Sequence, residues 1–198
     1  GLAVAEELMA AGAHVVRLAR SLADASSERR TDIRCDVTDA AAVADAADRV
    51  HAGRGAADLL VLNAGTFLLK ALAETAPPEF LEQVASNLTG PFLVLRAFLP
   101  PMRAKGRGLV VTLGSVADHV PLPGNAAYVA AKHGLRGLHG ALAQELRGTG
   151  VRATLLSPGP VDTEMWDPVD PDHRPGFTPR AAMLRPEDVA EAVLFVAT

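Results

Sequence analysis

The chain has 198 residues, of which 49% are hydrophobic and 21% charged, enough apolar content to fill the core of one domain and too much for a disordered chain. Nineteen basic against 23 acidic residues give a formal charge of −4, and no Lys/Arg-rich run interrupts that balance, which argues against a nucleic-acid partner. Cys35 stands alone, so no internal disulfide forms and a reducing, cytoplasmic setting is expected; no apolar run reaches the ~18 residues a membrane span needs, so no membrane partner is expected either.

Residues 2–11 combine strong helix formers with apolar residues near helical spacing, and Gly12 follows as a helix-ending glycine. Residues 14–19 read as a strand, 21–32 as a mostly polar loop, and 33–37 as a second short strand. Thr38-Asp39 offers a cap for an alanine-rich helix running to about His51. The apolar run at 58–62 has the character of a strand buried on both faces of a parallel sheet. Pro77-Pro78 opens a long helix, and Pro91 inside it predicts a bend just past Asn87. A strand at 108–112, a helix at 125–146 and a strand at 151–156 follow. The segment from Pro158 to Pro186 holds seven of the fourteen prolines, together with Trp166, Phe177 and Met183. It is too apolar for a linker, so an ordered lid over a site is expected at about residues 160–185. A last helix starts at Pro186. This alternation predicts a single α/β domain over residues 1–198, a doubly wound parallel sheet with helices on both faces.

Ligands in such sheets sit beyond the carboxyl ends of the strands. The residues there are Arg20, Asp36, Asn63-Ala64-Gly65, Gly114-Ser115 and Ser157-Pro158-Gly159, all small, polar or charged where an apolar strand stops. Tyr128 and Lys132 are four residues apart on a predicted helix and share one face. An ammonium beside a phenol lowers the phenol's pKa, which would make Tyr128, the chain's only tyrosine, a proton donor and acceptor near neutral pH. Ser115 lies thirteen residues earlier, at the mouth of a strand, where its hydroxyl could bond a substrate oxygen. His119 beside Asp118 reads as a surface-loop histidine, and His133 and His139 as helix-surface or interface residues. No His/Cys/Asp set has metal-ligand spacing, and no metal is expected.

Taken in order, these segments resemble the short-chain dehydrogenase/reductase family in its shorter, single-domain form. The resemblance spans nearly the whole chain. It is carried by Gly1 with Leu-Ala-Val-Ala, Cys35-Asp36-Val37-Thr38-Asp39, Asn63-Ala64-Gly65, Asn87, Ser115, Tyr128-Val129-Ala130-Ala131-Lys132 and Pro158-Gly159-Pro160-Val161-Asp162-Thr163. A Tyr-x-x-x-Lys pair alone arises often by chance; the ordered set does not.

The resemblance implies an oxidoreductase that uses NAD(P) on a small-molecule carbonyl or alcohol. Tyr128 would be the acid/base, Ser115 would polarise the carbonyl, and Lys132 would tune the phenol and hold the nicotinamide ribose. Asn87 would hold a water linking Lys132 to solvent. Gly1 would be the last glycine of a phosphate-binding turn, Asp36 and the Val37 backbone would bind adenine, and Asn63, Ala64 and Gly65 would line the adenine-ribose side. Pro158, Gly159, Val161 and Thr163 would border the nicotinamide. Ala19 stands where NAD users of the family carry aspartate, and Arg20 follows it, a residue suited to a ribose 2′-phosphate, which favours NADP over NAD. An NAD-linked alcohol dehydrogenase and a catalytically idle nucleotide-binding or scaffold protein are the alternatives. The resemblance further implies a homodimer or homotetramer built on the helices near 79–104 and 125–147, with Gly134, Gly137, Gly140 and Ala141 allowing close approach. It also implies a first strand ahead of Gly1, a last strand after Thr198, and a whole protein of roughly 230–260 residues. Without that first strand, the second and fourth strands of the family's order lack a neighbour between them.

Overall fold

The computed structural model describes residues 1–198. Strand β1 (Val15–Ala19) pairs in parallel with β3 (Arg30–Arg34), and the two-residue β2 (Ala25–Ser26) adds to β3 antiparallel. Strands β4 (Leu59–Leu62), β5 (Gly108–Leu113) and β6 (Val151–Leu156) form a second parallel ladder in that order. No hydrogen-bonded ladder joins β1 to β4, so the sheet consists of two halves.

Residues 21–32, expected as mostly loop, instead turn back as the β2–β3 hairpin, and the second strand ends at Arg34 rather than at 37. The reason is an ion pair across the ladder. Arg17 and Asp32 are register partners, and Arg17 Nε and Nη2 each reach an Asp32 oxygen at 2.7 Å, with Arg30 Nε at 3.3 Å. Paired on both oxygens, Asp32 is nearly buried within a strand, a placement an unpaired carboxylate could not hold.

The helices are α1 (Leu2–Ala10), α2 (Ala40–Arg54), α3 (Pro77–Val84), α4 (Gly90–Lys105), α5 (Ala126–Glu145) and α6 (Pro186–Ala197). Gly12, at φ +93°, ends α1 as expected, and the Asp39 carboxylate caps α2 on the N–H groups of Ala41 and Ala42. Period-two alternation along β5 divides the core. Val110 faces the larger cluster, formed with Ile33, Val43, Leu62, Phe98, Met102 and Leu142. Leu109, Val111 and Leu113 face the other way, onto Val4 of α1 and Val193 of α6. Helices thus cover both faces of the β4–β5–β6 ladder. Helix α2 carries the larger cluster from Ile33 and Cys35 of the first half-sheet across to the second.

The bend predicted by Pro91 is a single π-helical turn at Ala85–Thr89 between α3 and α4. Proline has no N–H to give the Asn87 carbonyl four residues earlier, and the chain widens there. Helix α5 crosses this turn: a Cβ on Gly134 would come within 2.8 Å of Leu88, so Gly134 packs against the π turn of its own chain. Gly137 and Gly140 have nothing within 4 Å of that position and are exposed. His139, expected at the surface, is buried; its Nδ1 lies 3.0 Å from the equally buried Thr112 hydroxyl on β5, and burial holds its pKa below the usual histidine value. No helix is long and apolar enough to cross a membrane.

Candidate active site

Parallel strands in register end at one edge, and the strand-end groups gather there. Arg20 follows β1, Asp36 follows β3, Asn63 to Gly65 follow β4, Ser115 follows β5, and Ser157 to Gly159 follow β6. Gly1, the N-cap of α1, joins them: a Cβ there would meet Asn63 Nδ2 at 2.8 Å. Two loops are stitched together at this edge, Gly114 N–H donating to Leu156 O at 2.7 Å and Val116 N–H to Pro158 O at 2.9 Å.

Tyr128 and Lys132 project from α5 toward the end of β5. Lys132 Nζ donates to Leu113 O at 3.1 Å and lies 5.7 Å from the Tyr128 ring centroid. Ser115 Oγ accepts from Ala117 N–H at 3.2 Å, which leaves the hydroxyl proton free to be donated. The expectation that Lys132 depresses the Tyr128 phenol is corrected. Burial pushes that phenol above its ordinary value; the Ser115 hydroxyl works against the shift and the charge of Asp118 adds to it. Burial also pulls Lys132 down to about 8, opposed by Asp118. Desolvation disfavours phenolate and ammonium alike, and here it exceeds what the four-residue spacing promised. At neutral pH the phenol is therefore protonated, the state that can give a proton to an oxygen.

Asn87 is almost completely buried within the π turn. Its Nδ2 donates to Thr66 O at 2.9 Å and to Gln83 O at 3.1 Å, while Oδ1 has no partner. That oxygen occupies the space a Gly65 Cβ would need, 2.5 Å away. Val37 touches the same turn, its carbonyl 3.3 Å from the position of a Gly90 Cβ. Gln83 and Thr66 complete this corner through a 3.0 Å bond; neither drew attention in the sequence, because a glutamine in an amphipathic helix looks like a surface residue.

At the nucleotide end, Asp36 Oδ1 accepts from the Thr38 N–H and hydroxyl at 2.9 and 2.7 Å. These bonds, with Arg20's charge as a lesser contribution, hold its carboxyl below the usual range. Arg20 is exposed and has no ion-pair partner. Asn63 and Ala64 are also exposed, so donors and acceptors remain available along this edge.

The segment after β6 is tied at its base. Val161 forms an isolated parallel bridge with Leu184, and Arg180 reaches Asp162 at 2.6 Å and Asp167 at 2.5 Å. The Trp166 Nε1–H donates to Val161 O at 3.1 Å. Phe67 stands between the two sides, its ring centroid 5.0 Å from Tyr128 and 5.2 Å from Trp166, and Phe177 extends the aromatic row 6.5 Å beyond. Phe67 was missed in the sequence, where nothing distinguishes it from a core residue.

A nicotinamide dinucleotide fits this donor set. The missing Cβ atoms of Gly1 and Gly65 leave room beside Asn63 and Asn87, an unpartnered buried amide oxygen lies against Gly65, and an unpaired guanidinium stands at the rim.

The profile of the family described as short chain dehydrogenase matches residues 1–174. The chain is 30% identical to the 3-oxoacyl-(acyl-carrier-protein) reductase FabG of Escherichia coli K12, an alignment covering 100% of this chain and 85% of that protein. It is 37% identical to the D-threitol dehydrogenase of Mycolicibacterium smegmatis over 83% of this chain and 65% of that one. Among solved structures, a metagenomic short-chain oxidoreductase crystallised with NADP superposes with a TM-score of 0.80 at 32% identity, covering 100% and 85% of the two chains. The serine dehydrogenase of Escherichia coli gives 0.84 at 26% identity, covering 100% and 86%. The chain belongs to the short-chain dehydrogenase/reductase family of NAD(P)-dependent oxidoreductases.

Proposed function

We propose that the protein is an NADP(H)-linked carbonyl reductase, interconverting a ketone or aldehyde and its alcohol, with Tyr128 as acid/base. The observation that carries this reading is the convergence of Tyr128, Lys132 and Ser115 at the end of β5, with Lys132 held on Leu113 O. The bound cofactor supplies the hydride. In reduction, the Ser115 hydroxyl donates a hydrogen bond to the carbonyl oxygen and orients it. The Tyr128 phenol, protonated at neutral pH, transfers its proton to that oxygen as charge develops there. Lys132 then faces the phenolate and stabilises it. Asn87, buried at the π turn with a free Oδ1, fits a water-holding position on the path that returns a proton to the pair.

Arg20, Asp36 and the Val37 backbone would receive the adenosine end, and Gly1, Asn63, Ala64 and Gly65 the phosphate and ribose. Pro158, Gly159, Val161 and Thr163 would border the nicotinamide. Arg20 supports NADP over NAD, because an exposed unpaired guanidinium can take a 2′-phosphate bidentately. The row Phe67–Trp166–Phe177 supports a substrate with a flat apolar group, and the segment around 160–185 acts as its lid. Exposed Phe80, Leu81 and Phe92 on α3 and α4 support assembly into a dimer or tetramer through these helices.

The test uses the intact protein with NADPH and NADH against ethyl acetoacetate, acetophenone, butanone and benzaldehyde. NADPH oxidation is expected with at least one of them, and Tyr128→Phe should lower it by roughly 10²–10⁴-fold with NADPH affinity kept. A Tyr128→Phe protein as active as wild type would remove Tyr128 from the role.

A further inference from the structure

Directly behind the site lies a charge that the proposed chemistry does not use. The Asp118 side chain has no solvent exposure and receives four hydrogen bonds. His119 Nδ1 at 2.8 Å and Arg136 Nη1 at 3.1 Å approach Oδ1; Ser157 Oγ at 2.5 Å and the Ser115 N–H at 3.2 Å donate to Oδ2. A carboxylate offers about four acceptor positions, and all are taken. Burial alone would raise this carboxyl's pKa, but the donors outweigh it and keep the group ionised.

Capping of the short turn at Val116–Asp118 explains one of these bonds, the one from Ser115 N–H. It explains neither Ser157, which comes from the end of β6, nor Arg136, which comes from α5. The neighbouring backbone is built around the same carboxylate. A Cβ on Gly114 would run into Asp118 Oδ2 and stand 2.9 Å from Ser157 Oγ, so glycine is required before the catalytic serine.

We propose that Asp118 is the positioning residue of this active site: a buried carboxylate that clamps the Ser115 turn to the Ser157 turn and sets a fixed negative charge behind Tyr128 and Lys132. The inference rests on the Tyr128 reading above. The clamp fixes the serine hydroxyl relative to the residues proposed to border the nicotinamide, since Ser157 opens directly into Pro158 and Gly159. The charge opposes phenolate formation at Tyr128 and favours the ammonium of Lys132. The other charged or titratable groups facing it are Arg136 and Lys132 from α5 and His119 from its own turn; β6 offers only the neutral Ser157 hydroxyl.

Tyr128 is the chain's only tyrosine, so its ionisation can be read directly from phenolate absorbance without a substrate. Asp118→Asn keeps the shape and removes the charge. The Tyr128 midpoint should move to lower pH by roughly half a unit or more, with circular dichroism confirming a folded protein across the titration. An unmoved midpoint in folded Asp118→Asn, the result a merely structural Asp118 would give, overturns the proposal. Ser157→Ala keeps the charge and loosens the clamp, and carries the test alone should Asp118→Asn not fold. Its rate with the ketone of the above panel that wild type reduces fastest should fall about tenfold or more at unchanged NADPH affinity. A wild-type rate in Ser157→Ala overturns the clamp. Tyr128→Phe measured alongside separates the two readings: activity retained there removes the Tyr128 assignment, and activity lost there with an unmoved Asp118→Asn midpoint removes Asp118 alone.

Discussion

Lys132 Nζ donates to the carbonyl of Leu113 at 3.1 Å, which anchors an ammonium on α5 to the last residue of β5. Both partners lie inside, and burial pulls the lysine down from 10.5 to about 8. The folded state therefore holds its proton less tightly than the unfolded chain. Between about pH 8 and 10.5 the unfolded chain binds more protons, so stability rises with pH through that window, and below it the cost of the buried charge is present in full. The lowering amounts to about 3 kcal/mol. Lys132→Met removes that cost and forfeits about 1 kcal/mol for the bond to Leu113. The variant should gain about 2 kcal/mol at pH 7, a rise in Tm of about 4–8 °C, with the gain shrinking toward pH 10, while turnover is lost. Thermal melts at both pH values check this; a variant melting below wild type at pH 7 contradicts it.

Asn87 Oδ1 fills the place of a Gly65 side chain, and this makes the two positions interdependent. Gly65→Ala should destabilise by about 1–3 kcal/mol through overpacking against a fully buried amide. Asn87→Ala vacates the space but strips Thr66 O and Gln83 O of a donor, at about 1–2 kcal/mol. The double variant should cost clearly less than the two singles together. Urea denaturation of all four proteins gives the coupling energy, and strict additivity would mean that the contact carries no strain.

How much of this could be read from the chain follows from what each residue answers to. The apolar runs of β4, β5 and β6 and the strand-end motifs were legible because a buried parallel strand must be apolar and then stop. The π turn showed itself only as the expected bend, since Pro91 removes a donor without specifying how the helix adapts. The β2–β3 hairpin was hidden because Asp32 looks like a loop residue until Arg17 is placed opposite it. His139 was misread for a related reason: α5 is rich in Ala and Gly, so its buried face leaves no clear period. Gln83 and Asp118 owe their placement to partners far along the chain. The protonated state of Tyr128 depends on burial, which spacing does not report.

Arg20 stands exposed and unpaired beyond β1, close enough to Asp36 to help hold that carboxyl ionised. A ribose 2′-phosphate would compete for the same guanidinium. Arg20→Ala should weaken NADPH binding about tenfold or more and leave NADH binding within about twofold, since charge-assisted bonds contribute roughly 1.5–3 kcal/mol. Fluorescence titration with both nucleotides reads the ratio, and a preference unchanged by the substitution removes Arg20 from cofactor selection.

Phe67 meets Tyr128 edge to face, the planes at 84°, and meets Trp166 on the segment after β6. The Trp166 ring is itself fixed by its bond to Val161 O, and the Arg180 pairs hold the segment it sits on. On the proposed function, a substrate presenting its carbonyl to Tyr128 would lie against this row, so a flat apolar group gains contact there while a short alkyl chain gains little. Phe67→Ala should therefore lower kcat/KM for acetophenone about tenfold, mainly through KM, and leave butanone within about twofold. The lost ring pair should also cost about 1 kcal/mol of stability. Trp166→Ala should act in the same direction, and the double variant should lose less than both singles combined, because Phe67 relies on Trp166 for its backing. Equal losses on acetophenone and butanone would instead mean that Phe67 supports the Tyr128 ring and takes no part in selecting the substrate.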